Sequence, residues 1–189
     1  MRQAHRSRSR FAQCSHAGDV GMKIERFFSF PNHHTFLMPP IAKIFSKYYT
    51  AGEWADPFCG YNSPAKHTND LNPDIPAGSH IDALEFLKGF SDNSLDGVLY
   101  DRPYSSYQAN QMYEGIGADM AHNNTWLTNI RKEIARTIKP GGLCLTFCWN
   151  TQGIGTKNGF EIEHIYIINH GDFRNDTLVT VERKIQETL

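Results

Sequence analysis

The sequence predicts an α/β fold, with a mostly parallel sheet that closes in an antiparallel hairpin. Three observations carry this expectation. Apolar runs of strand length alternate with segments of helical period through most of the chain, as a parallel sheet covered by helices requires. Two strand-like runs, 160–168 and 177–181, then follow one another across the turn-rich stretch 170–176, which reads as a hairpin. The chain has 189 residues and 40% apolar content, enough for one domain with a substantial core.

The elements follow in order. Residues 27–30 form a short aromatic stretch, and the polar loop 31–36 comes next. Pro39 and Pro40 suit the first turn of a helix, and Ile41, Ile44, Phe45, Tyr48 and Tyr49 recur at helical spacing. Gly52 is expected to end that helix. Glu53-Trp54-Ala55 is a short strand leading into Asp56-Pro57-Phe58-Cys59-Gly60, a loop whose small and turn-forming residues let a backbone approach a ligand. Residues 65–68 form a second short strand and 79–81 a third. Asp82 with Glu85 reads as a capping box at the start of a helix.

Leu95-Asp96-Gly97-Val98-Leu99-Tyr100 is a buried fourth strand, and Asp101-Arg102-Pro103-Tyr104 follows at its carboxyl end. Ligands of open α/β sheets bind at that edge. The polar stretch 105–125 is long for a connection and is expected to be functional. Trp126, Ile130, Ile134 and Ile138 lie at four-residue spacing, a helix that should stop at Lys139-Pro140-Gly141-Gly142. Residues 143–149 form a further buried strand.

Composition narrows the class. A net charge of −1 rules out global attraction to nucleic acid, so such binding needs a local face. The four cysteines show no CxxC spacing. They suit reduced thiols in a cytoplasmic protein, and no metal site is expected. No apolar run reaches membrane-spanning length. Residues 1–21, with Arg2, Arg6, Arg8 and Arg10, lack the apolar core of a signal peptide. They are expected to be a disordered basic extension; a basic arm on a phosphate backbone is the alternative. Residues 22–189 are expected to be one domain.

Several loops together resemble a known family. Asp56-Pro57-Phe58-Cys59-Gly60 resembles the D-P-F-x-G loop of S-adenosylmethionine-dependent amino-methyltransferases, and Asp101-Arg102-Pro103-Tyr104 resembles their D-P-P-Y motif. The resemblance is closest to small phage- and prophage-type adenine-specific DNA methyltransferases. Their P-N-x-x-T-F, N-D-L-N-P, W-N-x-x-G-x-G and N-D-T-x-x-T-V-E-R-K segments are matched at 31–36, 69–73, 149–155 and 175–184. The fold implied is a Rossmann-like, seven-stranded, mostly parallel sheet with a C-terminal antiparallel hairpin. The cofactor implied is S-adenosylmethionine, and the partner nucleic acid, DNA before RNA. No room is left for a separate target-recognition domain, so a homodimer or partner subunit could supply specificity. The location implied is the cytoplasm of a bacterial or phage-infected cell.

The resemblance also assigns residues. Asp56 would accept from the cofactor's amino group within a loop that includes Phe58 and Gly60. Asp70 would bridge the ribose hydroxyls, and Asp82 would take the adenine amine or serve as the helix cap. Asn32, Thr35 and Phe36 would touch the methionine end. Asp101 and the Arg102 carbonyl would accept from the target amine, Pro103 would fix the turn, and Tyr104 would stack on the base. An extruded base or a single strand is required for access. Tyr107, Gln108, Tyr113 and Lys157 are the candidate nucleic-acid contacts. Arg102 departs from the motif's proline, and Tyr61-Asn62 departs from its usual glycine loop. Three readings stay open: a DNA amino-methyltransferase (adenine N6, with cytosine N4 chemically close), an RNA enzyme, and a binding protein with little turnover.

Overall fold

Every residue of Leu95–Tyr100 except Asp96 is buried, and the sheet is laid out around this strand. The computed structural model describes residues 21–32, 34–103 and 124–185. The strands are β1 (Lys23–Phe28), β2 (Trp54–Asp56), β3 (His67–Thr68), β4 (Leu95–Tyr100), β5 (Ile138–Cys148), β6 (Phe160–Asn169) and β7 (Thr177–Lys184). The helices are α1 (Pro39–Tyr48), α2 (Ala83–Lys88) and α3 (Asn124–Thr137). One seven-stranded sheet runs in the order β1-β6-β7-β5-β4-β2-β3. β7 is antiparallel to β5 and β6, and the remaining pairs are parallel.

Alternation along β4 sends side chains into two cores. Val98 and Tyr100 pack with Leu87, Ile130 and Ile134 on the side of α2 and α3. Leu99 packs with Ile41, Ile44, Trp54 and Phe147 on the side of α1. Gly97 is dictated by this packing: a Cβ there would overlap the Trp54 indole of the neighbouring β2. Gly97→Ala is therefore expected to destabilise the fold by about 1–3 kcal/mol, the usual range for overpacking. A denaturant midpoint that does not move would contradict the packing.

Four expectations change in detail. The aromatic stretch 27–30 begins inside β1, an edge strand parallel to β6 that the sequence hid because its residues are almost all exposed. Residues 79–81 make only an isolated bridge, Asn69 with Ser79, so the seventh strand is β1 rather than a third strand there. α3 ends at Thr137, and Lys139-Pro140-Gly141-Gly142 belongs to the start of β5. α1 ends at Tyr48, before Gly52; Gly52 instead lies against the Asp96 carboxylate, which accepts from Glu53 N at 2.7 Å.

The carboxyl end of β7 is pinned by its charged run. Lys184, 1% exposed, donates from Nζ to Ala135 O and Ile138 O, both at 2.7 Å, and to Asn93 Oδ1 at 2.9 Å. A buried cation thus satisfies the last turn of α3, where the helix dipole favours positive charge. Arg183 pairs with Glu163 on β6. No described helix is long and apolar enough to cross a membrane.

Candidate active site

β2 and β4 are parallel neighbours, so the loops after Asp56 and after Tyr100 leave the same edge of the sheet. Asp56 is fully buried there. Its Oδ1 accepts from Phe58 N at 3.0 Å, and its Oδ2 accepts from Ser63 Oγ at 2.6 Å. These bonds curl residues 56–63 around the carboxylate. Gly60 turns this loop with φ +52°, and the space a Cβ would occupy is open. Its amide donates to Asp70 Oδ2 at 3.2 Å, while Asn72 N donates to Asp70 Oδ1 at 3.0 Å. The second acidic residue is thereby tied to the glycine loop.

Three carboxylates share this edge. Burial pushes the Asp56 carboxyl up to about 7; Ser63 and the Phe58 amide oppose this, and the charges of Asp101 and Asp70 add to it. Burial raises Asp70 as well, against the amides of Asn72 and Gly60. Holding several acids together away from water is costly for the empty protein. The same arrangement favours a cation placed among them.

Asp82 is the helix cap that the sequence offered. Its Oδ1 accepts from Leu84 N at 2.8 Å and Glu85 N at 3.3 Å, a helix cap on α2. Glu85 does not complete the box; it bonds Lys88 at 2.7 Å instead. The other oxygen of Asp82 accepts from Trp126 Nε1 at 3.2 Å. Asp82 also lines a small cleft with Pro57, Phe58, Leu71 and Ile81, beside the glycine loop. Phe58 reaches from this cleft to Tyr100 and Trp126, at ring-centroid distances of 6.1 and 6.2 Å.

The N-terminal segment joins the same neighbourhood. His34 meets the Tyr61 ring edge-on at 5.8 Å. Asn32 Oδ1 accepts from His34 N at 2.9 Å, and Thr35 opens a short 3-10 turn, Thr35–Leu37. Phe36 turns inward, 5.4 Å from Phe147 edge-on, so its ring is held by the core. Asp101 and Arg102 are half-buried and Pro103 is buried. Arg102 donates from Nη1 to Pro103 O at 2.9 Å. Lys157 is exposed on a 3-10 turn, Thr156–Asn158. Tyr104, Tyr107, Gln108 and Tyr113 lie outside the described residues.

Two polar residues escaped attention as site-builders. Ser63 is the hydroxyl partner of Asp56. Asn69 is 1% exposed and holds three loops together: its Nδ2 donates to Pro57 O at 3.2 Å and Ile81 O at 2.9 Å, and its Oδ1 accepts from Ser79 Oγ at 2.8 Å and Ile81 N at 3.1 Å. Asn69 is thus a structural pin, which leaves Asp70 as the acidic candidate at this strand end. Cys59, Cys144 and Cys148 are buried free thiols. Burial, with Asp56 and Asp70 nearby, pushes Cys59 up to about 12, which suits packing and not nucleophilic attack.

TrmN from Thermus thermophilus superposes with a TM-score of 0.50 at 16% identity, over 79% of this chain and 49% of that one. The fold is that of the Rossmann-like methyltransferases. This chain spans about half the length of TrmN. The proposed methylase HI0767 from Haemophilus influenzae aligns at 13% identity and TM-score 0.47, over 78% of this chain and 87% of that one. TYW2 of M. jannaschii, solved in complex with AdoMet, aligns at 11% identity and TM-score 0.42, over 79% of this chain and 76% of that one. No family model and no curated protein sequence matches the chain.

Proposed function

We propose that this protein transfers a methyl group from S-adenosylmethionine to the exocyclic amine of a nucleobase, N6 of adenine in DNA. The observation that carries the reading is the meeting of Asp56, Asp70 and Asp101 at one sheet edge, beside an open glycine turn. The cofactor, when bound, supplies an electrophilic methyl on a sulfonium cation. The residues fit it: the acidic edge suits its charge, and the space above Gly60 admits it. Asp56 would hold the ammonium of the methionine end, Asp70 the ribose hydroxyls, and the cleft lined by Phe58 and Asp82 the adenine. Asn32 and Thr35 close the methionine side through the His34–Tyr61 contact, with Phe36 anchoring the segment in the core.

The chain's remaining task concerns the target amine, whose lone pair is delocalised into the ring. Asp101 accepts one of its hydrogens and the Arg102 carbonyl the other, which draws the nitrogen toward a tetrahedral form. Pro103 fixes the turn and Tyr104 stacks on the base, a contact worth about 1–3 kcal/mol in comparable aromatic–base pairs. Positioning does most of the rest. Aspartate at position 101 favours DNA. A second reading, nucleic-acid binding with little turnover, has one observation in its favour: Arg102 stands where the motif has proline.

The test is incubation with methyl-labelled S-adenosylmethionine and unmethylated DNA or RNA, followed by digestion to nucleosides. Label is expected in N6-methyldeoxyadenosine. Label in RNA adenosine alone would overturn the DNA assignment. Bound cofactor without transfer to either would establish the binding protein instead.

A further inference from the structure

The loop after β5 is held from below by a carboxylate with no place in the chemistry above. Glu182 sits in the middle of the sheet on β7, 1% exposed, opposite Cys144 on β5 and Ile162 on β6. Its Oε2 accepts from Ile154 N at 2.7 Å and its Oε1 from Gly155 N at 2.9 Å. A carboxylate that grips two successive amides this way fixes both the position and the tilt of the peptide between them. Gly153 is buried against the same carboxylate, and a Cβ there would collide with it. Gly155 continues at φ +84°, and Asn158 Nδ2 closes the turn on Ile154 O at 2.7 Å. Burial raises the Glu182 carboxyl, and the amides of Ile154 and Gly155 and the charge of Arg131 on α3 oppose this.

The opposite side of this loop faces outward. Trp149 is 42% exposed, and Asn150, Thr151, Gln152, Thr156 and Lys157 are exposed. β4 and β5 are parallel, with Tyr100 level with Thr146, so the chain reaches Trp149 beside the stretch that carries Asp101 to Pro103. A buried charge desolvated in the sheet is a costly way to hold a surface loop that does nothing. It is a sound way to hold a wall against which a polyanionic strand is aligned.

We infer that Glu182 is a positioning residue: through the amides of Ile154 and Gly155 it sets the loop 149–157 as the wall that seats the nucleic-acid strand next to Asp101. This rests on the reading in the preceding subsection. Glu182→Gln keeps the shape but presents an NH2 group to one of the two amides, so the grip is lost on that side. Gly153→Ala disturbs the same contact from the loop without touching the charge. Both variants are expected to raise KM for a DNA oligonucleotide by about tenfold or more, the effect of losing a charge-assisted hydrogen bond that holds a binding element. kcat at saturating DNA and the cofactor Kd should stay near wild type. Trp149→Ala combined with Glu182→Gln should cost less than the product of the two single effects, because both act through one loop.

Unchanged KM in both variants, in an otherwise active protein, would overturn the inference alone. So would a fall in cofactor affinity that matches the loss in transfer, since Glu182 would then be holding the fold and not the loop. Failure of the wild-type protein to transfer to DNA or RNA would overturn the functional reading, and this inference with it.

Discussion

Asp101→Ala is expected to lower methyl transfer by about 10²–10³-fold, the range for removing one group that stabilises the reacting centre. Cofactor affinity should be nearly unchanged. The separation follows from position. Asp101 lies beyond the end of β4, while Asp56 ends β2 and the glycine turn and Asp70 lie on the segments after β2 and β3. Removing the carboxylate leaves the bonds from Ser63, Phe58, Gly60 and Asn72 intact. Single-turnover transfer and a calorimetric cofactor titration on the same preparation separate the two quantities. Equal loss of both would mean that Asp101 holds the cofactor and not the target amine.

Asp56→Asn is expected to act in the opposite sense, abolishing detectable cofactor binding while stabilising the empty protein above neutral pH. The side chain keeps its shape: its carbonyl oxygen can accept from the Phe58 amide, and its NH2 can donate to the Ser63 hydroxyl, which rotates to suit. What changes is charge. The folded-state carboxyl is raised from 3.8 to about 7. Between those values the folded protein keeps a proton that the unfolded chain has released, so stability falls as pH rises across that window and the loss is complete above 7. At about 1.4 kcal/mol per unit, the penalty is on the order of 4 kcal/mol. The variant should therefore melt higher than wild type at pH 8 and about level with it near pH 4. Equal melting temperatures at both pH values would show that Asp56 is not a strained buried acid.

What could be read from residues alone follows burial and local chemistry. β4 and the place of Asp101 at its exit were legible because a central parallel strand is an apolar run. Asp56 was legible from the turn residues after it. β1 was not, because Lys23, Ile24, Glu25 and Arg26 are all exposed and leave no period to count. Residues 79–81 read as a strand from composition, yet Asn69 takes over the bonding there with its side chain. Glu182 falls within the matched segment 175–184, but on sequence it resembles a charge at a strand end. Only the return of the loop 153–155 over β7 reveals that it is buried and gripping two amides. Ser63, seven residues after Asp56, is invisible for the same reason: its role depends on how the loop folds back.

The acidic edge is open to one direct measurement. Cofactor binding by the wild-type protein is titrated calorimetrically at pH 6 in buffers of differing ionisation enthalpy. A cation seated against Asp56 lowers its raised carboxyl, so wild type should release close to one proton per cofactor bound, and its affinity should rise as pH increases from 5 to 7. Binding by wild type with no proton released and no change in affinity across that range would contradict the placement of the cofactor's positive end at Asp56.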